Sequence, residues 1–213
     1  MNFPLVTCLC LTRNRPEWLP KSVAQFQAST YPNRELLILN SGEPVNVPAD
    51  ARIRMVRVAH GSPLGTLRNA GVMLSNGDIV AHWDDDDFSA PGRVHDQVSR
   101  LLESGKKVTG YFSMVFESET ERWMFTALSS FAIGTSLCYW RDWAKEHPFP
   151  AIHVAEDRYF SNDARDCKEL ISVPAGDMMR ASIHPGNTSP RQLKGDNWQL
   201  LPAGEGASVR LFA

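Results

Sequence analysis

Through the first half of the chain, apolar residues come in short unbroken runs set between polar stretches that carry Pro, Gly and Asn. "LVTCLCL" (Leu5–Leu11), "LLILNSG" (Leu36–Gly42), "IRMVRV" (Ile53–Val58) and "DIVAHW" (Asp78–Trp83) are short for helices and largely continuous, which predicts strands buried on both faces. After Pro16, residues Trp18, Leu19, Val23 and Phe26 recur at helical spacing. A second helix is predicted from Ser62 to Leu74, with Asn76-Gly77 as its terminator. This order of elements predicts an α/β fold with a mostly parallel central sheet and helices on both faces. Ligands of such sheets lie beyond the carboxyl ends of the strands, where Thr12 to Arg15, Asn40 to Gly42 and Asp84 to Asp87 fall.

The second half is less regular. "PGRVHDQVSRLLESG" predicts a helix, "KVTGYFSMVF", "RWMFTAL" and "IGTSLCYW" predict strands, and "AEDRYFSNDAR" a short helix. "ELISVP" and "DMMRASIH" complete the sheet, and the Pro-, Gly- and Ser-rich stretch beyond His184 predicts a short irregular covering loop or tail.

With 43% hydrophobic residues in 213, one core is affordable and a single domain over 1–213 is expected: a ligand-binding half (1–93), a second half (94–190) and a tail (191–213). No run approaches the roughly 18 apolar residues of a membrane span, and "MNFPLVTCLCLTRNRP" lacks a basic start and a cleavage site, so a cytoplasmic location is expected. Cys8, Cys10, Cys138 and Cys167 form no CxxC pair, which argues against a zinc centre or a disulfide framework; Cys8 and Cys10 should face one side of the first strand. Residues 1–70 carry 8 Lys or Arg against 4 acids, leaving 14 against 20 for the rest. A positive amino-terminal part suits a phosphate-bearing ligand, although a solvated surface is the commoner cause.

In "AHWDDDDFSAPGR" (Ala81–Arg93), four adjacent carboxylates repel one another, and a hard cation such as Mg²⁺ or Mn²⁺ is the usual way to make such a cluster tolerable. A lone acidic run is more often a solvated loop. This one follows a buried strand, ends at the ligand edge of the sheet and is turned back by "SAPGR", which favours binding. Alternation would put Asp84 and Asp86 on one face, with Asp85 and Asp87 bracing the loop. An EF-hand is excluded, because Phe88 stands at the fifth position and no glycine at the sixth.

"VTCLCLTRNRPEWLPKSVAQFQASTYPNRELLILNSG", "LRNAGVMLSNGDIVAHWDDDDFSAPGR" and "AEDRYF", in that order and spacing, resemble the family 2 glycosyltransferases of the GT-A fold. The resemblance implies a Rossmann-like sheet and a metal-dependent, inverting transfer of a sugar from a nucleotide-diphosphate sugar, a UDP-sugar first, to an acceptor hydroxyl. On the same resemblance, Thr12 and Asn14 line the nucleotide pocket, and Arg68 and Asn69 approach the nucleotide from the helix before the fourth strand. Asp84 contacts the ribose with Asp85 beside it, and Asp86 binds Mn²⁺ or Mg²⁺. Glu156-Asp157 resembles the Glu-Asp pair of inverting members, with Asp157 as the base; acids are also favoured in a first helical turn with no catalytic role. His184 resembles a histidine used as a further metal ligand or diphosphate contact, whereas His82 is expected to pack beside its strand.

One departure concerns the base. Family members often carry an Asp-Asp-Gly-Ser-like turn where Asn40-Ser41-Gly42 stands here, and an asparagine offers the base both a donor and an acceptor. Of Trp123, Trp140, Trp143 and Trp198, at most one or two are expected to line the acceptor cleft. The acceptor itself stays open among a glycan, a small molecule, a protein and a modified base in nucleic acid, the last disfavoured by a net charge of -2. Two rival readings are a metal-dependent nucleotidyltransferase, for which "LTRNRPEW" lacks the glycine-rich phosphate loop, and a catalytically silent nucleotide-sugar-binding module.

Overall fold

The computed structural model describes residues 3–188 and 193–202. The four apolar runs form β1 (Val6–Thr12), β2 (Arg34–Asn40), β3 (Ile53–Arg57) and β4 (Ile79–His82), paired in parallel in the order β3-β2-β1-β4. In central β1, Val6, Cys8 and Cys10 belong to one core and Leu9 to the other, and all are fully buried. Such a strand has no solvent-facing side, so its sequence has no polar alternation. Helices α1 (Leu19–Ala28) and α3 (Arg93–Ser104) cover the first face, while α2 (Leu64–Leu74), α4 (Arg141–Glu146) and α5 (Glu156–Asp166) cover the second. None of the described helices is long and apolar enough to cross a membrane.

Beyond β4 the sheet becomes mixed. Its remaining strands are β5 (Phe88–Ser89), β6 (Val108–Glu117), β7 (Arg122–Thr126), β8 (Cys138–Trp140), β9 (Leu170–Pro174), β10 (Met179–Ser182) and β11 (Trp198–Leu200). Strand β8 runs antiparallel between β4 and β6, β7 continues antiparallel beyond β6, and β9 and β10 lie parallel to β6. "IGTSLCYW" is therefore not one strand: Gly134–Ser136 forms a 3₁₀ turn, β8 starts at Cys138, and α4 follows at once. The stretch after His184 is not all loop either, since β11 pairs antiparallel with β7 and Trp198 packs on Phe116 and Phe125 at 5.0 and 4.7 Å. Three residues carry too little pattern for periodicity to register. The rest of the expected tail, 191–192 and 203–213, lies outside the described residues.

A buried arginine fastens the aspartate turn from behind. Arg93 has no solvent exposure and donates to Ser89 Oγ (2.7 Å), the His82 carbonyl (2.8 Å), the Thr135 carbonyl (3.2 Å) and Gln97 Oε1 (3.3 Å). All four acceptors are neutral, so hydrogen bonds and the face of Trp83, 5.5 Å away, compensate the lost hydration of the guanidinium. Arg93→Met leaves two backbone carbonyls short of a donor. It is expected to lower stability by about 2–5 kcal/mol, read as a lower urea midpoint by circular dichroism; an unchanged midpoint would show that the bolt carries no load.

Candidate active site

The carboxyl end of β4, the Thr135 turn, the first turn of α5 and the segment after β10 enclose an acidic cleft of about 130 Å³, lined by all four aspartates, Glu156 and Asp157. A wider pocket of about 450 Å³ shares Arg15, Leu64 and Asn187 with it and reaches Thr12, Ser41 and His153.

Within the turn each aspartate has a different set of partners, with Arg15 common to two of them. Asp84 faces Arg68 Nη2 at 3.3 Å. Asp85 accepts from Thr12 Oγ1 (2.6 Å) and Arg15 Nη1 (2.7 Å). Asp86 Oδ2 accepts from the same Arg15 nitrogen (2.8 Å), from His184 Nε2 (3.0 Å) and from Asn187 Nδ2 (3.4 Å). Asp87 accepts from Thr135 Oγ1 and from the Ser182 N–H (2.9 Å). Asp84 and Asp86 thus line one cleft, but Asp85 and Asp87 line it too.

The partners set the charges. Burial, reinforced by the charges of Asp86 and Asp84, lifts Asp87 well above the usual carboxylate range and so favours its neutral form. Burial also pushes Asp85 up to about 6, held in check by Arg15 and raised further by Asp86. For Asp84 burial works the same way and is the largest single influence. The charge of Arg68, together with the smaller contributions of His82 and of hydrogen bonds from Thr135 and Arg68, outweighs it and keeps the carboxyl below its ordinary value.

Arg68 itself is only 6% exposed, and its Nε and Nη1 have no hydrogen-bond partner among the described residues. Glu156 Oε1 stands 3.9 Å from Nε, beyond hydrogen-bond reach. A buried guanidinium with idle donors on the wall of a cleft fits an anionic ligand.

The other residues singled out from the sequence divide into two groups. Thr12, Arg68, Asp157 and His184 converge on the aspartates. Asn69 does not: its amide donates to the Phe149 carbonyl (2.8 Å) and accepts from the Phe149 N–H (2.9 Å), clipping the segment before α5 to α2. Asn40 is turned onto its own loop, accepting from the Gly42 N–H and donating to the Glu43 carbonyl, each at 2.8 Å. Asn14, left-handed at φ 55°, accepts from the Glu43 N–H at 2.8 Å and so ties the loops after β1 and β2 together.

Asp157 enters the cleft because Ala155 adopts a left-handed turn (φ 69°) just before α5. Its carboxylate lies so close to Gly134 that a Cβ there would sit 1.5 Å from Oδ2. Buried His82 donates from Nδ1 to the Gly134 carbonyl (2.7 Å) and accepts from the Tyr139 hydroxyl (3.2 Å), and burial with nearby Arg68 keeps it neutral. It packs beside its strand, as expected. Trp143 stacks on His147 and Trp198 packs among phenylalanines, while Trp18 stacks at 4.7 Å on His184, which bonds Asp86.

Arg15, Thr135, Ser182 and Asn187 were not legible as site residues. Arg15 alone left a signal, as a cation in the loop after the first strand.

Hard oxygen donors for a cation are present in Asp84 and Asp86, with the softer imidazole of His184 beside them. Among the described residues, the three-donor group with all ligand atoms within 4.8 Å of one another is instead His147, Asp163 and Cys167, on α4's end and α5. The cleft donors are spread around the Arg15 guanidinium.

Glu156 is 3% exposed; burial and the charge of Asp157 raise its carboxyl from the ordinary 4.5 to about 7, against the pull of Arg68. Between those values the folded chain holds a proton that the unfolded chain has released, so this group's contribution to stability is lost as pH climbs through about 7. Glu156→Gln carries no such proton. Its melting temperature minus that of the wild type is expected to grow from about pH 5 to about pH 8, and a difference independent of pH would contradict the raised value.

The family model for glycosyl transferase family 2 matches residues 8–162, from β1 into α5. A Haemophilus influenzae protein described as an uncharacterized glycosyltransferase is 24% identical over 112 residues, 49% of this chain and 45% of that protein. Among solved structures, S. aureus TarS 1-349 in complex with UDP-GlcNAc matches with a TM-score of 0.68 at 14% identity, over 86% of this chain and 60% of that one. The mannosyltransferase PcManGT from Pyrobaculum calidifontis, in complex with GDP-Man and Mn²⁺, matches with a TM-score of 0.66 at 12% identity, over 88% and 59%. This chain spans less than two thirds of each relative, and at such identities the structural likeness speaks to the fold. That fold is the GT-A type, and because the family match runs from the central strand into the helix bearing Asp157, the chain belongs to glycosyltransferase family 2.

Proposed function

We propose that the chain is a metal-dependent, inverting glycosyltransferase that moves a sugar from a nucleotide-diphosphate sugar to an acceptor hydroxyl. The observation that carries this reading is the four-aspartate turn sharing one cleft with Asp157, a carboxylate supplied by a separate segment. The relatives that hold UDP-GlcNAc in one case and GDP-Man with Mn²⁺ in the other support a nucleotide-sugar donor and a divalent cation.

Asp86 with His184 would hold Mn²⁺ or Mg²⁺, which when bound neutralises charge developing on the departing diphosphate, and Asp84 would contact the ribose. Arg68, with its idle donors, would take an anionic oxygen of the donor. Thr12 shapes the nucleotide pocket through its bond to Asp85, while Asn14 and Asn40 act through the loops they tie, so a uridine base is preferred only slightly. The acceptor oxygen attacks the anomeric carbon opposite the leaving diphosphate. As that bond forms, the bond from carbon to the diphosphate oxygen breaks, and the acceptor proton passes to Asp157. Glu156 beside it, close to half-protonated near neutral pH, keeps a second full negative charge away from the base.

Two measurements test this. By calorimetry, UDP binding should require Mn²⁺ or Mg²⁺ in the wild type, and Asp86→Ala should lose that dependence with most of the binding; equal affinity with and without chelator would remove the cation from the reading. Asp157→Asn keeps size but not basicity. Turnover should fall by roughly two to four orders of magnitude while UDP still binds. Near-wild-type turnover, or a product whose NMR couplings report a retained anomeric configuration, would sink the role given to Asp157.

A further inference from the structure

We propose that Arg15 is a built-in counter-cation: it supplies the aspartates with the positive charge that a divalent ion would supply, and on donor binding it leaves them for the donor's phosphates. This rests on the reading of the cleft as a cation-diphosphate site. A single guanidinium nitrogen, Nη1, lies 2.7 Å from Asp85 Oδ1 and 2.8 Å from Asp86 Oδ2, so carboxylates from consecutive residues are drawn onto one positive group. Asp86 Oδ2 also takes hydrogen bonds from His184 and Asn187. With three donors on it, Oδ2 has no lone pair to spare, so an ion binding this oxygen displaces at least one of them.

The displaced group has somewhere to go. Arg15 lines the acidic cleft, the wider pocket beside it and the hollow next to Asn40, so side-chain rotation alone carries it between them. Its base is fixed, because Asn14 is tied to the loop after β2 and a Cβ on Gly42 would come within 2.3 Å of Asn14 Oδ1. A divalent ion beside a guanidinium is repelled by it, whereas the planar fork of the guanidinium matches a phosphate well.

Arg15 also pins the turn over the cleft. Its Nη2 donates to the Gly186 carbonyl. That turn is held further by the bond from the Gly186 N–H to His184 Nδ1 (3.1 Å) and by the Asn187 side chain on the His184 N–H (2.7 Å). Because Asn187 lines both pockets, release of Arg15 couples the arrival of the cation to the wall of the donor site.

The test titrates Mn²⁺ alone by electron paramagnetic resonance into wild type, Arg15→Gln and Arg15→Lys, and then UDP by calorimetry at saturating Mn²⁺, with circular dichroism to establish folding. Arg15→Gln should bind Mn²⁺ about tenfold more tightly than wild type and UDP about tenfold less tightly, with Arg15→Lys between the two. If Arg15→Gln and wild type bind Mn²⁺ equally, or bind UDP equally, the proposal is overturned while a metal-dependent nucleotide site stands. If no form binds Mn²⁺ and chelator leaves UDP affinity unchanged, the underlying reading of the cleft falls as well. Should Arg15→Gln fail to fold, Arg15→Lys decides, and a wild-type response to both ligands overturns the idea.

Discussion

Four carboxylates at the end of one buried strand cannot all keep their charge without partners, and the way each is compensated organises the whole ligand edge of the molecule. Asp84 is matched by Arg68 from α2, and Asp85 and Asp86 by Arg15 from the loop after β1. Asp87 is pushed toward its neutral form by burial and accepts hydrogen bonds from Thr135 and the Ser182 backbone. A run that reads as one motif in sequence is thus four chemically distinct groups in space. The difference comes from solvation and neighbours, since the side chains are identical.

Because those partners are scattered along the chain, the turn acts as the joint between the two halves. Thr12, Arg15 and Arg68 come from the half built on the parallel strands, and Thr135, Ser182 and His184 from the half built on the mixed ones. Behind the joint, Arg93 ties the end of β4 to the same Thr135 turn. Each bond is made in a largely buried setting, where a missing partner costs more than a made one contributes. The geometry of the cleft is in this sense over-determined, which suits a site that has to hold charged groups at fixed separations.

The opposite wall is built by a different device. Asn69 clips the Phe149 backbone to α2, the Gly65 N–H bonds the Ile152 carbonyl at 3.2 Å, and left-handed Ala155 then aims the first turn of α5 at the aspartates. A non-glycine residue in that conformation costs about 1–2 kcal/mol, and the clips on either side keep it there. Asp157 owes its position to this strained corner and to the bare backbone of Gly134 opposite.

Much of the architecture was legible in the residues alone. Strands buried on both faces must be apolar throughout, so β1, β2 and β4 declared themselves, as did the helices whose apolar stripes cover them. The acidic turn stood out because burial and clustered charge conflict whatever the fold. Pattern was silent on β11 and α4, which are too short to show a period, and on the antiparallel entry of β8, which depends on pairing partners far away in sequence. It was equally silent on which of Asp84, Asp85, Asp86 and Asp87 meets which partner, and the family resemblance grouped Asn69 with Arg68 although one side chain bonds backbone and the other lines the cleft. Local sequence determines which segments must be buried and where charge gathers, because those follow from a residue and its near neighbours. Which carboxylate is pushed toward its neutral form, and which cation stands over the others, was decided only when the tertiary fold brought distant residues within hydrogen-bond reach.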